Sequence, residues 1–132
     1  MRILIVEDEK DFLGYLRSYF EGRGCHTLAA EDGMLAWEVL LSAKENQQDI
    51  DGIILDLMIP KLNGWDLLKR KTQDVFLSKI PVIVLSAFTE DRPPDTNCVC
   101  EVLTKPVRLG KLESAMSKHF GAYTHAIGNL ND

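Results

Sequence analysis

Cysteine is scarce in this chain and follows no pattern. The 132 residues include three, Cys25, Cys98 and Cys100. An odd count without framework spacing excludes a disulfide scaffold and suits a reducing compartment, so the expected location is cytoplasmic. Cys98 and Cys100 alternate along one run and share a face, but no further Cys or His stands at thiolate-site spacing. Long apolar runs are also missing: none approaches the roughly 18 residues of a membrane span, which excludes membrane insertion through a helix. The N-terminus has a single Arg and turns acidic at Glu7, so no signal peptide is expected. A basic excess is absent as well. The net charge of -5 argues against direct binding of nucleic acid. His26, His119 and His125 form no cluster, and Trp37 and Trp65 fall at helical core or rim positions.

What is present is an ordinary globular composition, 45% hydrophobic and 27% charged, at a length that suits one domain with a real core. Short apolar runs alternate with amphipathic stretches. Arg2 to Val6 reads as a strand buried on both faces, ending at Glu7-Asp8. Asp11 to Arg23 carries Phe12, Leu13, Tyr15, Leu16, Tyr19 and Phe20 at helical spacing, with Gly24 placed to end the helix. Cys25 to Ala30 is a second strand. Asp32 can cap a helix bearing Leu35, Ala36, Val39 and Leu40, fraying over Lys44 to Gln48. Ile50 to Leu55 is a third strand, and Asn63-Gly64 opens a helix with Trp65, Leu67 and Leu68 inward. Pro81 to Leu85 is a fourth strand ending at Ser86-Ala87, and Cys98 to Leu103 a fifth ending at Thr104-Lys105-Pro106. A last helix spans about Leu109 to Phe120, with residues 121 to 132 a fraying tail or linker stub. This alternation predicts an α/β domain over residues 1 to 120, with a parallel sheet covered by helices on both faces.

Four of the five strands deliver polar groups at their carboxyl ends, where open α/β sheets bind ligands. Glu7, Asp8 and Asp56 bring three negative charges, and Lys105 returns one positive, leaving -2. Two carboxylates 4 Å apart repel by about 4 kcal/mol at an effective dielectric near 20. A divalent cation removes that repulsion, and a few hard oxygen ligands suit Mg2+. Taken singly, each residue has a plainer reading: Asp56 as a turn cap before Pro60, Glu7-Asp8 as acidic residues at a helix start, Ser86 as a helix cap, Lys105 as a solvated charge. Together, in this order, they point to one site.

The constellation resembles the receiver domain of two-component response regulators. The resemblance is carried by Ile3-Leu4-Ile5-Val6-Glu7-Asp8-Glu9, by Ile54 to Gly64 around Asp56, by Ser86-Ala87 and by Lys105-Pro106, and it covers about Arg2 to Phe120. It implies a flavodoxin-like doubly wound five-stranded parallel sheet of order 2-1-3-4-5. It implies that Asp56 is the phospho-acceptor, taking a phosphoryl group from the phosphohistidine of a histidine kinase or phosphotransfer protein. It further implies Mg2+ held by Asp8, Asp56 and the backbone carbonyl of Met58, with Glu7 reaching it directly or through water. Lys105 then pairs with one phosphoryl oxygen and the Ser86 hydroxyl with another, and the Lys105-Pro106 bond is cis. Such a module is no enzyme beyond catalysing its own phosphorylation and dephosphorylation, and it passes the signal to a downstream protein target.

Two departures from the family bear on output. The position three residues before the lysine, usually Tyr or Phe, is Val102, so the aromatic part of the family's switch is missing. Only ten residues, Phe88 to Asn97, join the fourth strand to the fifth, about one helical turn fewer than usual. With Pro93-Pro94 inside, the fourth helix is expected to be shortened or replaced by a loop, and dimerisation through that face is in doubt. The alternative reading is a receiver-fold interaction module that works without phosphorylation. A flavodoxin-like cofactor binder ranks last, because Glu7-Asp8-Glu9 would repel a phosphate where that class needs a phosphate loop. A stand-alone regulator, an N-terminal receiver of a longer protein and a receiver from a hybrid kinase all fit the sequence.

Overall fold

The computed structural model describes residues 1–87 and 99–121. Its five strands form one parallel sheet: β1 (Arg2–Val6), β2 (His26–Ala30), β3 (Gly52–Asp56), β4 (Val82–Ser86) and β5 (Val99–Thr104), in the order β2-β1-β3-β4-β5. Helices α1 (Lys10–Gly22), α2 (Gly33–Glu45), α3 (Gly64–Thr72) and α4 (Leu109–His119) connect and cover it among the described residues. The expected order 2-1-3-4-5 is therefore present. The segment Phe88 to Asn97, Cys98 and the side chain of Cys100 lie outside the described residues, as do residues 122–132. The expectations placed on the fourth family helix and the tail fall there.

Strand alternation divides the core in two. Leu4, Val6, Ile53, Leu55, Val82 and Val84 pack on one face with Ala36 and Leu40 of α2 and Leu67 and Leu68 of α3. Ile3, Ile5, Ile54, Ile83 and Leu85 pack on the other with Leu13, Leu16 and Phe20 of α1 and Leu112, Ala115 and Met116 of α4. Fully burying a side chain of this size contributes about 1.5–3 kcal/mol, so a strand apolar on both faces has a strong drive to the sheet centre. β3 and β4 are buried at all five positions each, as the apolar runs predict.

The helix starts are set by side-chain acceptors. The Asp32 carboxylate takes the Leu35 N–H at 2.8 Å and Asn63 takes that of Asp66 at 2.9 Å. In α1 the cap is Glu9, which accepts from the N–H groups of Asp11 and Phe12, so that helix begins before the expected Asp11. Gly24 follows α1 with φ 89°, a conformation that favours glycine over any residue with a Cβ. A 3-10 turn at Leu77–Lys79, absent from the sequence reading, is held by Asp74, whose Oδ1 accepts from Phe76 and Leu77.

Two of the apolar residues at helical spacing lie at the surface. Tyr15 is 55% exposed and Leu35 44% exposed. Tyr15 lies beside the buried stripe of α1 rather than on it, and Leu35 sits in the first turn of α2, where Gly33 and Ala36 are the buried residues.

Gly52 opens β3 against the ring of Phe120, and a Cβ there would lie 2.4 Å from ring carbons. Gly52→Ala is expected to lower the urea unfolding free energy by about 1–3 kcal/mol through overpacking. Part of that loss should return in a Gly52→Ala/Phe120→Leu double variant. An unchanged urea midpoint for Gly52→Ala would contradict this packing.

Candidate functional site

The sheet order sets the site. β3 is the central strand, with β1 on one side and β4 then β5 on the other. Alternation then selects which residues share a face. Ile5, Ile54 and Leu103 pack toward α1 and α4, so Glu7, Asp56 and Lys105, each two residues further on, emerge on that same side at the carboxyl edge.

There they meet. Glu7 and Asp56 are almost fully buried, at 1% and 4% exposure. Lys105 Nζ donates to Glu7 Oε1 and to Asp56 Oδ2, both at 2.8 Å. The second Asp56 oxygen, Oδ1, accepts the backbone N–H of Met58 at 3.0 Å, and Glu7 Oε2 accepts that of Glu9 at 3.3 Å. The ammonium also stands over the Phe12 ring, 5.4 Å from its centroid. Asp8 is exposed at the rim, and one carboxylate oxygen each from Glu7, Asp8 and Asp56 lies within 4.8 Å of the others.

Ser86 is buried at the end of β4, and its carbonyl accepts the Lys105 N–H at 2.7 Å. Val84 packs toward α2 and α3, which places Ser86 by alternation on that side of the sheet edge. Val102 pairs with Val84 and is half-buried against the same core. The Lys105–Pro106 peptide is cis, as expected.

The loop after Asp56 is fastened to two helices. Gly64 N–H donates to the Leu57 carbonyl and Gly33 N–H to that of Pro60, both at 3.2 Å. Lys61, at φ 70°, brings its Nζ to 3.5 Å from Asp32. A Cβ on Gly33 would fall 1.7 Å from the Leu62 carbonyl oxygen, so only glycine permits this approach. Met58 rides on this loop with its side chain 71% exposed, next to the carboxylate that its N–H holds.

The electrostatics follow from crowding carboxylates in a buried crevice. Burial pushes the Glu7 carboxyl up to about 7, and its neighbour Asp56 adds to the rise, against a lowering by Lys105. Burial alone would lower the Lys105 ammonium, but Asp56 and Glu7 outweigh it and hold its pKa above the usual lysine value. The donor set is all oxygen and net negative, and it converges at the sheet edge. This fits a hard divalent cation such as Mg2+ better than a soft metal.

The ring of Phe12 over Lys105 and the fit of Gly33 against the loop were not legible as site features. Phe12 counts in the sequence only as one member of an apolar stripe, and the Gly33 contact joins segments far apart in the chain.

Comparison with known proteins agrees with this geometry. The sequence pattern of the response regulator receiver domain matches residues 3–117. The chain belongs to that family. Over 89 residues, 67% of the chain, it is 36% identical to response regulator GtcR of Aneurinibacillus migulanus and 39% identical to SaeR of Staphylococcus epidermidis. These matches cover 34% and 35% of the two relatives, so this receiver domain corresponds to about a third of their length. Among solved structures, the receiver domain of hybrid histidine kinase CckA is 30% identical, with a TM-score of 0.72, covering 91% of this chain and 99% of that one. The receiver domain of sensor histidine kinase PA1611 from Pseudomonas aeruginosa shares the fold at a TM-score of 0.77 and 22% identity, covering 91% and 97%. That structure has a magnesium ion coordinated in its active site cleft. Receiver domains are signalling modules of two-component systems that interact with histidine kinases and downstream effectors. No described helix is long and apolar enough to cross a membrane.

The raised Glu7 pKa has a defined consequence for stability. The folded state holds the proton more tightly than an unfolded chain with its ordinary value of 4.5. The associated stabilisation is complete below that value and is lost as pH rises to about 7. In chelator-containing buffer, the unfolding free energy of wild type relative to Glu7→Gln is expected to fall between pH 4.5 and 7. Parallel pH profiles for the two proteins in denaturant titrations would contradict it.

Proposed function

We propose that the chain is a phosphorylatable receiver that accepts a phosphoryl group on Asp56 from a histidine kinase or phosphotransfer protein in the cytoplasm. The receiver would span residues 1–120, with 121–132 a tail or linker stub. The observation that carries this reading is the state of Asp56. Its buried carboxylate is held at one oxygen by the Met58 N–H and at the other by Lys105, with Glu7 and Asp8 close enough to share a cation. A turn cap would need neither the lysine nor the neighbouring carboxylates.

Asp8, Asp56 and the Met58 backbone carbonyl would hold Mg2+, with Glu7 acting directly or through water. When bound, the metal neutralises the clustered carboxylates and the oxygens of the incoming phosphoryl group. Asp56 supplies the nucleophilic oxygen: a P–O bond forms to its carboxylate as the P–N bond to the donor imidazole breaks, and the imidazole departs with its proton. No general base is needed, because a carboxylate attacks already ionised. Lys105 would follow the negative charge from the carboxylates to a phosphoryl oxygen. The Ser86 hydroxyl would donate to another, drawing the end of β4 toward the site. The chemistry is positioning and charge neutralisation, and it is confined to the module's own phosphorylation and dephosphorylation.

The output side departs from the common pattern. Val102 has no aromatic ring to reorient, and its β-branched side chain has few χ1 choices. The downstream protein target is then read through something other than an aromatic rotamer.

Incubation with Mg2+ and a small-molecule phosphodonor is expected to add about 80 Da, one phosphoryl group, to wild type and nothing to Asp56→Asn. No gain on folded wild type would favour the phosphorylation-independent interaction module. A gain that survives Asp56→Asn would place the chemistry elsewhere.

A further inference from the structure

We propose that Phe12 is a positioning residue for Lys105, its ring holding the ammonium at the crevice when a cation takes over the carboxylates. The inference rests on the phosphorylatable reading above and concerns how the lysine stays in place during it.

Phe12 is fixed from its backbone outward. It lies in the first turn of α1, where its N–H donates to Glu9 Oε2 at 2.8 Å. Its half-buried side chain packs on the core that faces α1 and α4. The ring lies under Lys105 Nζ, within the roughly 6 Å over which an aromatic face attracts a cation.

Lys105 needs such an anchor. Its side chain is 28% exposed, on a flexible four-carbon stem, and among the described residues its charged partners are Glu7 and Asp56. Those carboxylates belong to the cluster that a divalent cation would draw on. With a cation drawing on them, the lysine would lose much of their attraction and gain a repelling neighbour. The Phe12 face keeps attracting the ammonium and, being neutral, does not compete for the metal. The ring thereby limits how far the lysine swings into solvent before a phosphoryl group arrives.

Two readouts test this. An aromatic ring shifts protons above its face upfield. The Lys105 Cε protons are therefore expected upfield in wild type and Phe12→Tyr, with and without saturating Mg2+, and at ordinary positions in Phe12→Leu. With a small phosphodonor and saturating Mg2+, Phe12→Leu is expected to slow Asp56 phosphorylation about three- to tenfold. Phe12→Tyr should restore the rate, and Phe12→Leu should have no further effect in a Lys105→Met background.

Loss of the upfield shift on adding Mg2+ to wild type overturns the proposal, and needs no variant to fold. A wild-type rate in Phe12→Leu, or an undiminished effect in the Lys105→Met background, overturns it equally. Wild type that takes up no phosphoryl group fails the receiver chemistry itself, and the Phe12 role with it. The other contrary outcomes leave that chemistry intact.

Discussion

Three carboxylates at the carboxyl edge of one sheet are the constraint around which this molecule is built. Glu7 and Asp56 are buried, and Asp8 stands at the rim within reach of both. At the separations involved, each carboxylate pair costs a few kcal/mol unless a positive charge intervenes, about 4 kcal/mol for two charges 4 Å apart at a dielectric near 20. Lys105 intervenes, bridging Glu7 and Asp56 at 2.8 Å to each. One ammonium against three carboxylates leaves the crevice negative, and burial first, with Asp56 beside it, pushes the Glu7 carboxyl up. That surplus of charge is what the proposed cation would neutralise.

The rest of the structure holds those groups in register. A parallel sheet brings the ends of β1, β3, β4 and β5 to one edge, and alternation turns Glu7, Asp56 and Lys105 to one face. The loop that follows Asp56 is tied to α2 through Gly33 and to α3 through Gly64, so Met58 is offered to the crevice on a backbone with few alternatives. Deep apolar packing on both faces of the sheet supplies the stability that the charged edge gives up.

Much of this was legible from sequence, for reasons that differ by residue. β3 and β4 show as continuous apolar runs because both of their faces are buried. Asp32 and Asn63 show as caps because short polar side chains satisfy helix N–H groups. Asp56, Ser86 and Lys105 stand out because polar groups recur where apolar runs stop. Strand ends shifted by a residue, since the hydrogen-bonded ladder includes Asp56 and Ser86 themselves, whereas an apolar run stops before them. Helical spacing marks a broad stripe that takes in Tyr15 and Leu35 without saying which margin meets the sheet. The turn at Leu77–Lys79 is too short to show periodicity. Lys71, 1% exposed with its Nζ 3.3 Å from the Ser78 carbonyl, runs against the usual exposure of lysine. The carbonyl it donates to belongs to that turn.

The central claim is that Asp56, and no other residue, carries the phosphoryl group. Borohydride reduces an aspartyl phosphate to homoserine and leaves free carboxylates untouched. After treatment with Mg2+ and a phosphodonor, reduction and peptide mass mapping should find homoserine at position 56 and aspartate at position 8. Homoserine elsewhere, or unaltered aspartate at position 56 in protein that gained phosphoryl mass, would contradict the account.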